Sequence, residues 1–191
     1  MPIVSRNVVK TDYLNIPATD NTLDATLDRW LAIAQNEIED MCNQPIVQAS
    51  KTILVSGTTD RLLWLGYTVP MTLTSVSSRD AYTDAFTAIT GTASVVSVDG
   101  VAHLATTEDW RAAQYQIVAT LGYSTVPSVI QICAAELVME MYYASAFSPS
   151  GSRFGVSAIS ESAGGTSFSK TITSARARIA PRLRPYTMVT I

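Results

Sequence analysis

Residues 115–143 read YQIVATLGYSTVPSVIQICAAELVMEMYY, and within this stretch the chain changes from a strand to a helix. Tyr115 to Leu121 is a β-prone run that ends at Gly122-Tyr123. Ser124-Thr125-Val126-Pro127 then opens a helix, because proline's fixed φ suits the first turn and its missing N–H would be unpaired there anyway. The helix that follows is apolar around most of its circumference, interrupted only by Ser128, Gln131, Glu136 and Glu140. A helix with so little polar face is predicted to be central, enclosed by the chain's own core or also by a neighbouring subunit.

Upstream, Leu23, Leu27, Trp30, Leu31, Ala34, Ile38 and Met41 recur at three- and four-residue steps and line one helical face. Thr22 is placed to cap this helix, Asp24 and Asp28 suit the positive end of its dipole, and Asn43-Gln44-Pro45 ends it. From Lys51 to Tyr123 the pattern becomes short β-prone runs, KTILVS and RLLWL among them, separated by turn residues. The plainest hairpin is VVSV, Asp99-Gly100, VAHL, since an Asp-Gly pair takes the positive φ angles of a two-residue turn. Residues 80–92 fit neither period. In residues 1–22, Pro2, Asn15, Pro17, Asp20 and Asn21 break any periodicity, so an extended arm is expected.

Residues 148–170, SPSGSRFGVSAISESAGGTSFSK, are rich in Ser and Gly. Alternation at Phe154, Val156 and Ala158 before Gly164-Gly165 supports a hairpin, and the composition equally supports a loop that orders on assembly; both stay open. A short helix carrying Ile172, Ala175 and Ile179 is expected to stop near Pro181 and to give way to a second extended arm, RLRPYTMVTI.

The expected fold is therefore α+β: a small helical core of two long helices plus a short C-terminal helix, an inserted antiparallel β portion, and extended N- and C-terminal arms. It is read as one domain over 1–191, with an arm at 1–22, a helix/β core at 23–147, the loop or hairpin at 148–170, and a C-terminal helix and docking arm at 171–191.

Apolar residues make up 47% of the 191 and charged residues 15%, a low charge density that suits a surface buried against partners. No apolar run reaches the roughly 18 residues of a membrane span, and the first residues lack the apolar core of a secretion signal, so a soluble chain made inside the cell is expected. Cys42 and Cys133 sit in apolar helical patterns and read as buried free thiols, with a single disulfide as the alternative. Charge is uneven along the chain. Residues 1–161 carry 16 acidic and 8 basic side chains, whereas residues 162–191 carry Lys170, Arg176, Arg178, Arg182 and Arg184 and no acid. Such a tail either seeks an acidic surface, a neighbouring copy's body included, or is a solvated basic terminus.

Catalytic sets are hard to assemble from these residues. His103, the one histidine, lies in a predicted hairpin strand, and no GxSxG surrounds a serine. One histidine and two distant cysteines do not make a zinc site. The carboxylates Glu37, Glu39, Asp40, Glu108, Asp109, Glu136 and Glu140 could serve a divalent metal or acid–base chemistry, but acids on helix faces ordinarily just meet water. Neither GxxxxGK[ST] nor GxGxxG occurs. For nucleic acid, only Arg182, Arg184 and Tyr186 combine charge with an aromatic ring, and the acidic body would let phosphates slide past. A structural assembly subunit fits these residues better than an enzyme; a carboxylate/metal-dependent hydrolase and a DNA-binding accessory protein are the alternatives.

Four segments resemble the head-tail adaptor, or connector, proteins of long-tailed bacteriophages: LDRWLAIAQNEIEDMCNQPI, LLWLGYTVPMTLTSVSSRD with Pro70 and Val76, the 115–143 stretch, and LRPYTM. The N-terminal arm and residues 80–112 are longer than the minimal plan of that family. The resemblance implies a virion protein of the neck, assembled in the host cytoplasm, with no cofactor and no membrane. Its copies would form a ring, commonly of twelve, that docks on the portal protein, receives a stopper or tail-completion protein on the other face, and lets DNA pass without sequence-specific binding. A tail-completion or stopper protein of the same connector is the nearest alternative. Portal docking is expected to fall on Arg176, Arg178, Arg182, Arg184 and Tyr186, in a tail that can be removed without harming the fold. Core or subunit contacts are expected on Leu27, Trp30, Leu31, Val138, Met141 and Tyr142.

Overall fold

The structure is a computed structural model that describes residues 2–89, 93–106, 110–145, 147 and 174–189, and the backbone of 158–163 and 166–171. The chain divides into two compact units, residues 1–38 with 127–184, and residues 39–126 with 185–191.

The first unit is helical apart from one hairpin, and the helix at 24–42 continues from it into the second unit, which begins at residue 39. A short turn, α1 (Arg6–Val8), runs into a π-helical segment, Val9–Tyr13; α2 (Asp24–Cys42), α3 (Ser128–Ala144) and α4 (Ala175–Leu183) follow. The spacing read in α2 puts Leu27, Leu31, Ala34 and Ile38 inside, and α3 buries Ile130, Cys133, Ala134, Ala135, Leu137, Val138 and Tyr142. Pro127 stands just before α3, where its carbonyl accepts from the amides of Ile130 (3.0 Å) and Gln131 (3.1 Å).

The N-terminal segment departs from the expected extended arm. It coils through Arg6–Tyr13 and buries Ile3, Val4, Val9, Lys10 and Leu14. The cause is tertiary. Lys10, fully buried, pairs with the Asp24 carboxylate and donates to the Asp20 carbonyl at 2.6 Å, while Arg6 reaches Asp24 at 3.1 Å and Asp28 at 2.6 Å. The acids that favour the start of α2 thus recruit two cations from the preceding segment. Thr22, expected as the cap of α2, instead donates its amide and hydroxyl to Asp20 Oδ1 at 3.0 and 2.7 Å.

The second unit is built of strands: β1 (Ala49–Ser56), β2 (Leu62–Trp64), β3 (Met71–Arg79), β4 (Thr87–Ala88), β5 (Ser94–Val98), β6 (Val101–Ala105) and β7 (Gln114–Leu121). One antiparallel sheet has the order β1-β7-β3-β4 and the other β2-β6-β5. β7 is central, and its alternation is complete: Tyr115, Ile117, Ala119 and Leu121 are buried and the residues between them are not. The β5–β6 hairpin turns at Asp99 (φ 51°) and Gly100 (φ 80°), the positive angles of a type I′ turn. In the stretch that fitted neither period, the two residues of β4 pair with Ser77 and Ser78; residues 90–92 lie outside the described ones.

Two C-terminal expectations also change. α4 runs through Pro181 to Leu183 instead of stopping near it, then tightens into a 3₁₀ turn, Arg184–Tyr186. Proline cannot donate its helical hydrogen bond, but Ile179 and Leu183 on either side are buried and hold the turn in place. Residues after 184 are not a free arm, since the amides of Met188 and Val189 donate to the carbonyls of Cys42 (2.8 Å) and Gly66 (2.9 Å). Within 148–170, β8 (Ala158–Ala163) and β9 (Thr166–Thr171) form a hairpin in a sheet of their own. Phe154, Val156, Gly164, Gly165 and Ile172 lie outside the described residues. Cys42 and Cys133 are both buried, and neither forms a disulfide.

Candidate functional site: the basic helix and the C-terminal clamp

Arg178 and Arg182 stand four residues apart and therefore share one face of α4. Both reach Glu136 of α3, Arg182 Nη1 donating to Oε1 at 2.6 Å and Arg178 Nε lying 3.6 Å from Oε2. That hydrogen bond and the charge of Glu136 hold the Arg182 guanidinium above its ordinary pKa. Burial pushes up the thiol of Cys133, which lies beside the same guanidinium. Glu140 accepts from the Ala175 amide, and the Ser174 hydroxyl caps the helix by accepting from the Ala177 amide at 3.3 Å. Arg176 Nε lies 3.5 Å from Glu37 Oε1.

Three of the expected docking arginines are therefore held by acids of their own chain, yet the side chains keep 68% (Arg176) and 46% (Arg178, Arg182) of their exposure. Arg184 is exposed. The inner face of the helix is apolar, with Ala175, Ile179 and Leu183 buried, so the tail is part of the fold and its removal would open the core.

Tyr186 belongs to a second arrangement, built where α2 ends. Asn43 takes a positive φ of 53° and closes a Schellman motif: its amide donates to Asp40 (3.2 Å) and the Gln44 amide to Glu39 (3.3 Å). This turns the Gln44 side chain inward, to 3% exposure. Its Oε1 accepts from the Thr68 amide at 3.0 Å, and its Nε2 donates to Thr68 Oγ1 at 2.5 Å and to the Tyr186 carbonyl. The Tyr186 ring meets Tyr123 edge-on at 6.3 Å, and burial, then the neighbouring Tyr186 and Cys42, push the Tyr123 hydroxyl above its usual pKa. Together with the Met188 and Val189 bonds, this clamps residues 186–189 onto the exit of α2 and the β2–β3 connection. Sequence reading did not single out Gln44; the signal available was the Asn-Gln-Pro helix stop, which demands a positive φ and so aims the next side chain.

Several of the groups weighed for chemistry have structural partners. His103 Nδ1 lies 3.1 Å from its neighbour Val101's carbonyl oxygen on β6. Glu39 Oε1 accepts from the amides of Ile46 (3.2 Å) and Val47 (3.4 Å), and Glu37, Glu136 and Glu140 hold α4. Glu108 and Asp109 lie outside the described residues. Among the described residues no group of three or more His, Cys, Asp or Glu is placed to hold a metal ion, and no helix is long and apolar enough to cross a membrane. Of the expected core or contact residues, Leu27, Leu31, Val138 and Tyr142 are buried, while Trp30 and Met141 keep partial exposure. Trp30 stands edge-on to Tyr142 and to the exposed Phe147, both at 6.5 Å.

An α+β chain whose polar groups serve internal caps and clamps, and whose segments carry the connector pattern, is of the phage head-tail connector class. Residues 3–175 match the family of the head completion protein (HCP), and the chain belongs to that family. Its fold is shared by chains of three solved assemblies. The neck of an empty gene transfer agent (GTA) particle computed with C6 symmetry matches with a TM-score of 0.63 at 16% identity, covering 98% of this chain and 91% of that one. The virion of a native gene transfer agent particle matches at 0.62 and 15% identity, over 100% and 91% of the two chains. The neck of a native particle computed with C12 symmetry matches at 0.58 and 14%, over 100% and 96%. No curated protein sequence matches the chain.

Proposed function

We propose that the chain is a structural, non-catalytic subunit of the virion neck, forming the head-tail adaptor ring that docks on the portal, links the DNA-filled head to the tail and lines the path of the DNA. The observation that carries this is the head completion family match over residues 3–175, joined to a fold common to chains from gene transfer agent necks along nearly their whole length. A ring of twelve copies is in keeping with the C12 symmetry used for one of those necks. The acidic body suits passage of DNA without grip.

Docking is assigned to the outward sides of Arg176, Arg178, Arg182 and Arg184, with Tyr186 fixing the segment that follows them. Because α4 is anchored by its apolar face, the backbone that carries Arg176, Arg178 and Arg182 need not be ordered on binding. The test is cryo-electron microscopy of particles purified from producing cells. Density for a ring of this chain against the portal supports the adaptor reading; density on the far side of an adaptor ring would make it the stopper or tail-completion protein, and absence from the particle would overturn both. Arg176→Glu together with Arg184→Glu should leave the fold intact and weaken portal binding at least about tenfold, as loss of charged contacts at an interface does; unchanged binding would remove the docking assignment.

A further inference from the structure

β1 is an edge strand of eight residues. All eight of its residues pair with β7 in unbroken register from Ala49↔Leu121 to Ser56↔Gln114, and among the described residues no strand bonds its other side. Edge strands are ordinarily blunted by proline, a bulge, or several charges. β1 has no proline, no bulge and one charge, Lys51, and it exposes Ser50, Thr52, Ser56 and 56% of Leu54. Nothing in its own sheet satisfies the outward amides and carbonyls.

The β8–β9 hairpin has the complementary deficit. Its six pairs, Ala158↔Thr171 to Ala163↔Thr166, form a sheet that no third strand joins among the described residues. A lone two-stranded hairpin is marginal in water, and a third strand is the usual remedy. We infer that β8 of one copy adds to the free edge of β1 of a second copy, so that each subunit of the ring lends a hairpin to its neighbour's sheet; this rests on the ring reading above. β8 is chosen over β9 on charge. β8 carries Glu161 and β9 carries Lys170, so only β8 brings an opposite charge to Lys51, and like charges across a strand pair repel. The occupant is thus a segment of this same chain, joined by main-chain bonds that continue an existing sheet.

The test places single cysteines on different full-length chains produced together in the same cells: Ser50→Cys, Thr52→Cys or Leu54→Cys on one, and Ser160→Cys or Ser162→Cys on a separately tagged other. A disulfide between them needs Cα atoms within roughly 7 Å and can form only between copies. In purified particles, at least one β1–β8 combination should yield a tagged–untagged dimer about ten times more abundant than the β9 controls Ser167→Cys and Ser169→Cys, which lie one strand farther away. Exchanging the charges, Lys51→Glu with Glu161→Lys, should keep the cross-link, and either change alone should reduce it. A ring present in the particles with no β1–β8 link above the controls overturns the strand exchange and leaves the ring reading standing. Chains absent from the particles overturn both.

Discussion

Gln44 makes three hydrogen bonds while almost wholly removed from water, so its truncation takes a bond from the Thr68 amide, the Thr68 hydroxyl and the Tyr186 carbonyl together. Gln44→Ala is expected to cost about 2–4 kcal/mol, the loss of these bonds plus the burial of an unanswered Thr68 amide, read from urea unfolding. Tyr123 provides a pH signature of the same clamp. Its folded-state pKa is raised above the ordinary value of 10.0, so its contribution is fully present below pH 10 and is lost as pH rises through the folded value. Urea midpoints should fall above pH 10, and Tyr123→Phe should flatten that fall; an unchanged slope would mean the ring is not desolvated in solution. At this scale the sequence told unevenly. Asp99-Gly100 declared its turn because the pair itself supplies the positive φ, whereas the destinations of Gln44 and Arg182 depend on residues 142 and 46 positions away, which no local pattern encodes.

Among the elements, α4 divides its face between apolar anchors and arginines, and the two halves should respond differently to truncation. Ile179→Ala is expected to cost about 2–4 kcal/mol as a core deletion, and Arg176→Ala about 1 kcal/mol or less as an exposed ion pair; similar costs would show that charge, not packing, seats the helix. The N-terminal turn makes the opposite case, a buried charge. Asp24→Ala should destabilise by about 3–5 kcal/mol because Lys10 is left uncompensated, and adding Lys10→Met should recover most of it. A double-mutant cycle in urea measures the difference. α2, α3 and β7 were legible because apolar period, Pro127 and strand alternation agreed. The segment 6–13 was not, because its coil depends on Asp24 and Asp28, acids already explained by the helix they begin.

For the whole molecule, the charge asymmetry turns out to be partly internal: three of the four tail arginines are answered by Glu37 and Glu136 of the same chain. The α+β class was readable because helical and strand periods occupy separate blocks of sequence. Division into two units was not, since each is assembled from discontinuous stretches. A fold shared at 14–16% identity is held by patterns of this kind, apolar spacing and turn chemistry, while individual residues drift. The Gln44–Tyr186 bond spans 142 positions and gives the strand-rich unit a timetable as well as a shape. At ordinary rates of protein synthesis, Gln44 waits on the order of ten seconds for its carbonyl partner to emerge. Strands β1 to β7 all precede Tyr186 in the chain, so both sheets of the unit are made before the carbonyl that answers Gln44.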